Sequence, residues 1–245
     1  MHIATSEPPE RRNFVRLRTL LSLPPDQFDE QVTAVMLSSN AAGGRVAEAG
    51  GRIMTRPPNE RGSILSTAHR HTKWTDAEEI RHVIRCEENS FALDELWHGN
   101  TTIYLCLPGQ ELKTSSPWLR VMVGLALYAI IDQGRRPAKQ TLFLLDEFAY
   151  LGHMQPVEMA AGLGAGFGCQ LWPIFQDMSQ VEQLYPGLWR SFFANSADIQ
   201  AFGVNDPRAA EELSKRLGPQ TIKTRSRSES EAGDRSTIGL SYQGQ

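Results

Sequence analysis

The sequence predicts an α/β fold, with a mostly helical N-terminal third leading into a mainly parallel sheet that carries helices on both faces. Three observations predict it. Up to about Glu88, apolar residues recur at helical spacing and no segment reads as a strand. From Thr101 onward, short β-branched or aromatic runs alternate with helical stretches, the order that builds parallel sheets. Those runs are nearly continuous in apolar residues, as strands buried on both faces are.

Along the chain, Phe14, Leu17, Leu20 and Leu21 share one face of a first helix, and Pro24-Pro25-Asp26 punctuates the next segment, striped by Val32, Val35 and Met36. A third helix is expected from Arg45 to Met54 after Gly43-Gly44. Pro57-Pro58 opens a fourth through Ile64, Leu65, Ala68 and Trp74. Thr101 to Pro108 reads as a buried strand ended by its proline. A helix from Trp118 to Asp132 follows, closed by Gly134. A second strand is expected from Thr141 to Leu145, a helix from Val157 to Leu163, and a third strand from Gln170 to Phe175. Helices near Val181 and Leu188 precede a fourth strand, Asp198 to Phe202. A last helix, capped by Asn205 or Asp206, runs through Ala209 to Leu217. Lys223 to Gln245 has little to bury and is expected to be flexible, or a strand awaiting further sequence. The segments are therefore 1–88, helical; 89–222, α/β; and 223–245, a tail.

At 245 residues the chain suffices for one large domain or two small ones. A net charge of -3 gives no global basis for coating nucleic acid, although a local basic face can hide in that average. Cys86, Cys106 and Cys169 are odd in number and far apart, which points away from a disulfide framework or zinc site and fits a reducing cytoplasm. The longest apolar run, Val121 to Ile131, is about half a membrane span, and Glu7, Glu10 and Arg11 stand where a signal peptide is apolar. The chain as given is expected to be soluble, with no membrane span.

The chemistry concentrates at Leu142-Phe143-Leu144-Leu145-Asp146-Glu147. Four apolar residues are expected to bury the strand on both faces and deliver two carboxylates at its C-terminal edge, where open α/β sheets bind ligands. This is the pattern of a Walker B strand in a RecA-like P-loop NTPase. Asp146 would hold Mg²⁺ through water, and Glu147 would accept a proton from the water that attacks the γ-phosphate of ATP. The same pair would also serve simply to begin a loop and cap a helix. After the next strand, Ile174-Phe175 is followed by Gln176-Asp177. The Gln176 amide there can contact water or the γ-phosphate and report the nucleotide's state, or act as an ordinary capping residue.

The ordered set Thr102 to Pro108, Leu144 to Phe148, Phe167-Gly168, Ile174 to Asp177, Gln180, Leu184-Tyr185, Asn195, Phe202-Gly203, Asn205-Asp206, Ala209-Ala210 and Leu217-Gly218 resembles the type IV secretion coupling proteins, the conjugative DNA-transfer ATPases. The match covers roughly Glu60 to Thr221. The resemblance implies a homo-hexameric ATP- and Mg²⁺-dependent motor at the cytoplasmic face of the bacterial inner membrane. Its partners would be relaxase-bound DNA or secreted protein substrates and the components of the secretion channel. It further implies an all-α insertion associated with substrate recognition, to which 1–88 would correspond.

Two departures qualify the resemblance. No segment reads Gly-x-x-x-x-Gly-Lys-[Ser/Thr]; Gly43-Gly44-Arg45 and Gly50-Gly51-Arg52 lack the lysine and a preceding strand. In the family that motif lies upstream with membrane-spanning helices, so the chain is expected to be N-terminally truncated and inactive alone; Gly239 to Gln245 does not resemble a completed domain end, so an early stop is expected there too. Relatives also often carry an arginine just before the aromatic-glycine pair, where this chain has Ala165-Gly166 before Phe167-Gly168. A charge-stabilising arginine is then unsupplied from this position. The glycines from Gly162 to Gly168 lie between helix and strand, the reverse of a dinucleotide fingerprint, and are expected to allow close packing.

His69 and His71, two apart on a helix, face different directions and read as a solvated pair. Arg70, Lys73, Arg81 and Arg85 could form a basic patch beside Trp74, but Glu78, Glu79, Glu87 and Glu88 make it a mixed-charge surface. Trp97, Trp118, Trp172 and Trp189 are expected to fill core. Two functions compete: a partial coupling ATPase, and a non-catalytic substrate-binding or scaffold module of a secretion system. A different RecA-like translocation motor is a further alternative, which predicts no helical insertion.

Overall fold

The computed structural model describes residues 2–85, 91–98, 100–135 and 138–219. Cys86, the acidic pair at 87–88 and the tail from Lys223 lie outside them. The chain forms two compact units, Met1–Phe175 and Gln176–Gln245.

The first unit opens with short helices: α1 (His2–Ser6), α2 (Phe14–Leu21), α3 (Pro25–Phe28), a π-turn (Asp29–Thr33), α4 (Ala34–Leu37), α5 (Arg45–Met54), α6 (Pro58–Thr72) and α7 (Glu78–Ile84). Asn13 caps α2 by accepting the Arg16 N–H at 2.9 Å, and prolines at the first turns of α3 and α6 set their entry. Leu20, Phe28 and Val32 are buried together, which brings α2 onto the hinge between α3 and α4. Gly50 lets α5 approach α4 closely, since a Cβ there would meet Met36 Cβ at 3.0 Å.

After α8 (Glu95–His98), the expected strand at Thr101 to Pro108 forms no ladder. It keeps a strand's alternation, with Ile103, Leu105 and Leu107 half-buried and Tyr104 82% exposed. Leu105 and Leu107 pack on Trp74, Ile80 and Trp118, so the segment has a seat but no partner strand among the described residues. Helix α9 (Leu112–Ile131) then begins a turn and a half before the expected Trp118. Gly109–Ile131, the 3₁₀ turn that leads into α9 together with α9, is the one helical segment among the described residues with the length and composition to cross a membrane, a test that a buried core helix also passes. Counting uninterrupted apolar residues overlooks it because its first third, Gly109 to Ser116, is mostly polar and Arg120 interrupts the rest. Trp118, Val123, Leu127 and Ile130 are nevertheless buried within the protein.

Strands β1 (Thr141–Leu145) and β2 (Cys169–Pro173) pair in parallel from Thr141↔Cys169 to Leu145↔Pro173, with α10 (Gln155–Leu163) between them in sequence. The crossover helix makes parallel pairing possible. Phe143 and Leu145 are buried, and α9 and α10 pack on this sheet. Leu142, Leu144 and Trp172 are 50%, 56% and 48% exposed, which overturns the expected burial of both faces and the core role for Trp172. Among the described residues the helices cover one face only.

The second unit holds α11 (Met178–Leu184), α12 (Trp189–Asn195) and α13 (Pro207–Leu217). Tyr185 packs at a tilt against Phe192 with ring centres 4.9 Å apart, and Arg216 lies over Phe193 at 5.4 Å. Of the two candidate caps, Asp206 serves α13, accepting the Ala209 N–H at 3.1 Å. The expected strand at Asp198 to Phe202 is irregular and Phe202 is 88% exposed; a strand needs a ladder partner, and none lies beside it among the described residues.

Candidate functional site

Asp146 and Glu147 follow β1 directly, as the strand pattern requires, but the exit is bulged. The Ile174 N–H donates to Leu145 O at 3.0 Å, and Phe148 N–H donates to Ile174 O at 2.9 Å. A regular parallel ladder would return to Ile174 from Glu147, so one extra residue is accommodated here. The extra length is absorbed by Glu147, whose backbone is left-handed at φ 53°, ψ 48°. A non-glycine residue in that region costs roughly 1–2 kcal/mol and persists only where its surroundings hold it. Asp146 is exposed and Glu147 half-buried.

A 3₁₀ turn, Phe148–Leu151, continues from Glu147 with Phe148 and Leu151 buried, and the Tyr150 N–H donates to Glu147 O at 3.0 Å. Gly152 follows at φ 62°. Arg120, on α9, donates from Nη1 to Leu151 O and from Nη2 to His153 O at 2.7 Å. His153 Nε2 lies 2.8 Å from Glu158 Oε1. The sequence pattern did not single out Arg120; its only signal was a lone arginine amid the apolar run Leu119 to Ile131.

Gln176 opens the second unit, exposed, with its backbone N–H donating to Gln180 Oε1 at 2.9 Å. Asp177 caps α11, accepting the Gln180 N–H at 3.0 Å and the Ser179 hydroxyl; these bonds hold its carboxyl below the usual range. The capping role read as the alternative for Gln176 is taken by its neighbour Asp177.

Two adjacent carboxylates are hard oxygen donors and suit Mg²⁺ held through water. No group of three or more His, Cys, Asp or Glu among the described residues is placed to enclose a metal directly. The chain supplies no glycine-lysine phosphate cradle. Adjacent carboxylates are thus the donor type that a hydrated divalent cation takes.

Several side readings resolve locally. Gly164 packs closely, a Cβ there meeting Cys169 Cβ at 3.2 Å, and Gly168 is needed for its φ of 75°, whereas Gly162 and Gly166 have open space. His69 is half-buried, while His71 is exposed. The His69 Nε2 lies 2.6 Å from Leu21 O and its Nδ1 3.1 Å from Arg18, which also pairs with Asp76 at 2.7 Å. Packing of α2 against α6 captured it.

A parallel pair of strands ending in two carboxylates, with helical segments before and after it in sequence, defines a mixed helical and parallel-sheet protein. Its fold matches the bacterial conjugative coupling protein TrwBdeltaN70, solved in a trigonal form in complex with sulphate, with a TM-score of 0.57 over 87% of this chain and 50% of that one, at 15% identity. Residues 7–245 match the family model for type IV secretory system conjugative DNA transfer, and the chain belongs to that family. It is 28% identical over 216 residues to the conjugal transfer protein TraG of Agrobacterium fabrum, covering 87% of this chain and 32% of that protein. It is 26% identical over 220 residues to the type IV secretion system-coupling protein VirD4 of Bartonella henselae, covering 89% and 34%. The chain thus spans about a third of the length of these relatives.

Proposed function

We propose that this chain is a segment of a conjugative coupling ATPase that recruits relaxase-bound DNA or protein substrates to a type IV secretion channel and drives their transfer by ATP hydrolysis. The observation that carries the proposal is the bulged end of β1, which presents Asp146 and Glu147 together on backbone tied on both sides to Ile174. Asp146 holds Mg²⁺ through water, Glu147 orients the attacking water and takes its proton, and Gln176 reads the γ-phosphate. When bound, Mg²⁺ supplies charge neutralisation at the phosphates. Residues 1–88 act as the all-α substrate-recognition segment, 89–222 as the Walker B half of a RecA-like nucleotide domain, and 223–245 as a tail. The working assembly is a homo-hexamer at the cytoplasmic face of the inner membrane. Family membership supports this setting.

A second reading is that the chain acts as a non-catalytic recruiting or scaffold module. The two part over Glu147. In a longer protein that joins this segment to a phosphate-binding motif, Glu147→Gln is expected to cut ATP turnover by about 10²-fold or more while ATP stays bound. Unchanged turnover and unchanged DNA transfer in that variant would establish the scaffold reading. The 245-residue chain alone is expected to hydrolyse ATP at background rate, and turnover abolished by the same substitution would overturn that expectation.

A further inference from the structure

We infer that Arg120 is a positioning residue for the Glu147 loop: from α9 it fixes the far end of the segment whose near end carries the two carboxylates. The inference rests on the role proposed above for Asp146 and Glu147. A glutamate at φ 53° has no intrinsic preference for staying there and relaxes to ordinary backbone unless both sides of the loop are held. The near side is held by Ile174, through Leu145 O and the Phe148 N–H. The far side is held by the Arg120 guanidinium, whose two arms reach Leu151 O and His153 O across more than thirty residues of chain. A planar fork of donors matches two carbonyls that straddle one residue, which the single ammonium of lysine does not.

Gly152 makes this grip possible. A Cβ there would stand 2.7 Å from Arg120 Nη1, so only a glycine lets the guanidinium lie against the backbone. Phe148 and Leu151 anchor the turn in the core on either side of the grip. Arg120 also sits within the helix whose Val123, Leu127 and Ile130 are buried, so its grip on the loop starts from a packed element.

The test uses the 245-residue chain. Amide hydrogen exchange at Phe148, Tyr150 and Gly152 reads the loop, and paramagnetic broadening by Mn²⁺ reads the carboxylates. Arg120→Met is expected to speed exchange at these three amides by about tenfold, to leave α5 amides at their wild-type rates, and to remove most Mn²⁺ broadening at Asp146 and Glu147. Arg120→Lys is expected to recover part of both, and it carries the comparison if Arg120→Met fails to fold. Wild-type exchange and broadening in a folded variant would overturn the inference, as would acceleration spread equally over α5. If wild type shows no broadening but Arg120→Met still frees the loop, the anchor stands and the metal role of Asp146 falls.

Discussion

Glu147 shows how one backbone angle ties stability to a site. If its left-handed conformation is strained, replacing it with a residue free to adopt that region should relieve the strain even though the carboxylate is lost. Glu147→Gly is therefore expected to be more stable than Glu147→Ala by about 1 kcal/mol, measured by chemical denaturation. Equal stability would mean that the bulge costs nothing. The cysteines make a second residue-scale contrast. Cys169 is buried beside Gly164 and its thiol is pushed up to about 11 by burial, whereas Cys106 is exposed. Iodoacetamide at pH 8 is expected to alkylate Cys106 and spare Cys169 until the chain is unfolded, as peptide mass spectrometry would show. That Asp146 and Glu147 directly follow β1 was legible from the strand pattern, whereas β2 ends at Pro173, two residues short of the end expected before Gln176. Arg120 was not legible, because its role depends on carbonyls more than thirty residues away.

Adjacent glycines on α5 separate propensity from packing at the scale of an element. Gly50 faces α4, where a methyl group would press on Met36 Cβ at 3.0 Å and Leu37 N at 3.3 Å, while Gly51 meets only a side-chain carbon of Leu37 at 3.9 Å. Gly50→Ala is expected to destabilise the chain by about 1–3 kcal/mol through overpacking. Gly51→Ala is expected to stabilise it by about 0.5–1 kcal/mol through helix propensity. Thermal melts of the two variants should therefore move in opposite directions. The helices were largely readable from their periodicity: Arg45–Met54 has the expected bounds, and α6, α10 and α13 lie where prolines, caps and apolar spacing put them. Strands at 101–108 and 198–202 failed because a strand is defined by its neighbour, which composition does not supply.

At the scale of the molecule, ion pairs link distant segments of the helical region. Arg61 on α6 bonds both carboxylate oxygens of Asp29 in the π-turn and lies 5.7 Å from the Phe28 ring centre. That hydrogen bonding holds the Asp29 carboxyl below its ordinary range, opposed by a smaller burial effect. A depressed carboxyl contributes stability above the unfolded pKa of about 3.9 and loses it as pH falls through the lower folded value. Asp29→Asn is thus expected to cost about 0.5–1 kcal/mol at pH 7, the pair being partly solvent-exposed. The difference should close progressively below about pH 4. A gap between the two denaturation curves that persists undiminished at pH 2 would sink this assignment.

Sequence by itself determined the helical third, the parallel β1 and β2 with their crossover, the two carboxylates at a strand end, and the resemblance that family membership bears out. These are short-range properties, written in periodicity, capping and residue type. Tertiary structure alone decided which strand face is covered, that Glu147 would take up a bulge, that His69 would be captured by Arg18, and that Arg120 would grip the loop beyond Glu147. Each of those depends on which distant backbone atom arrives opposite a side chain, and no local pattern encodes that meeting.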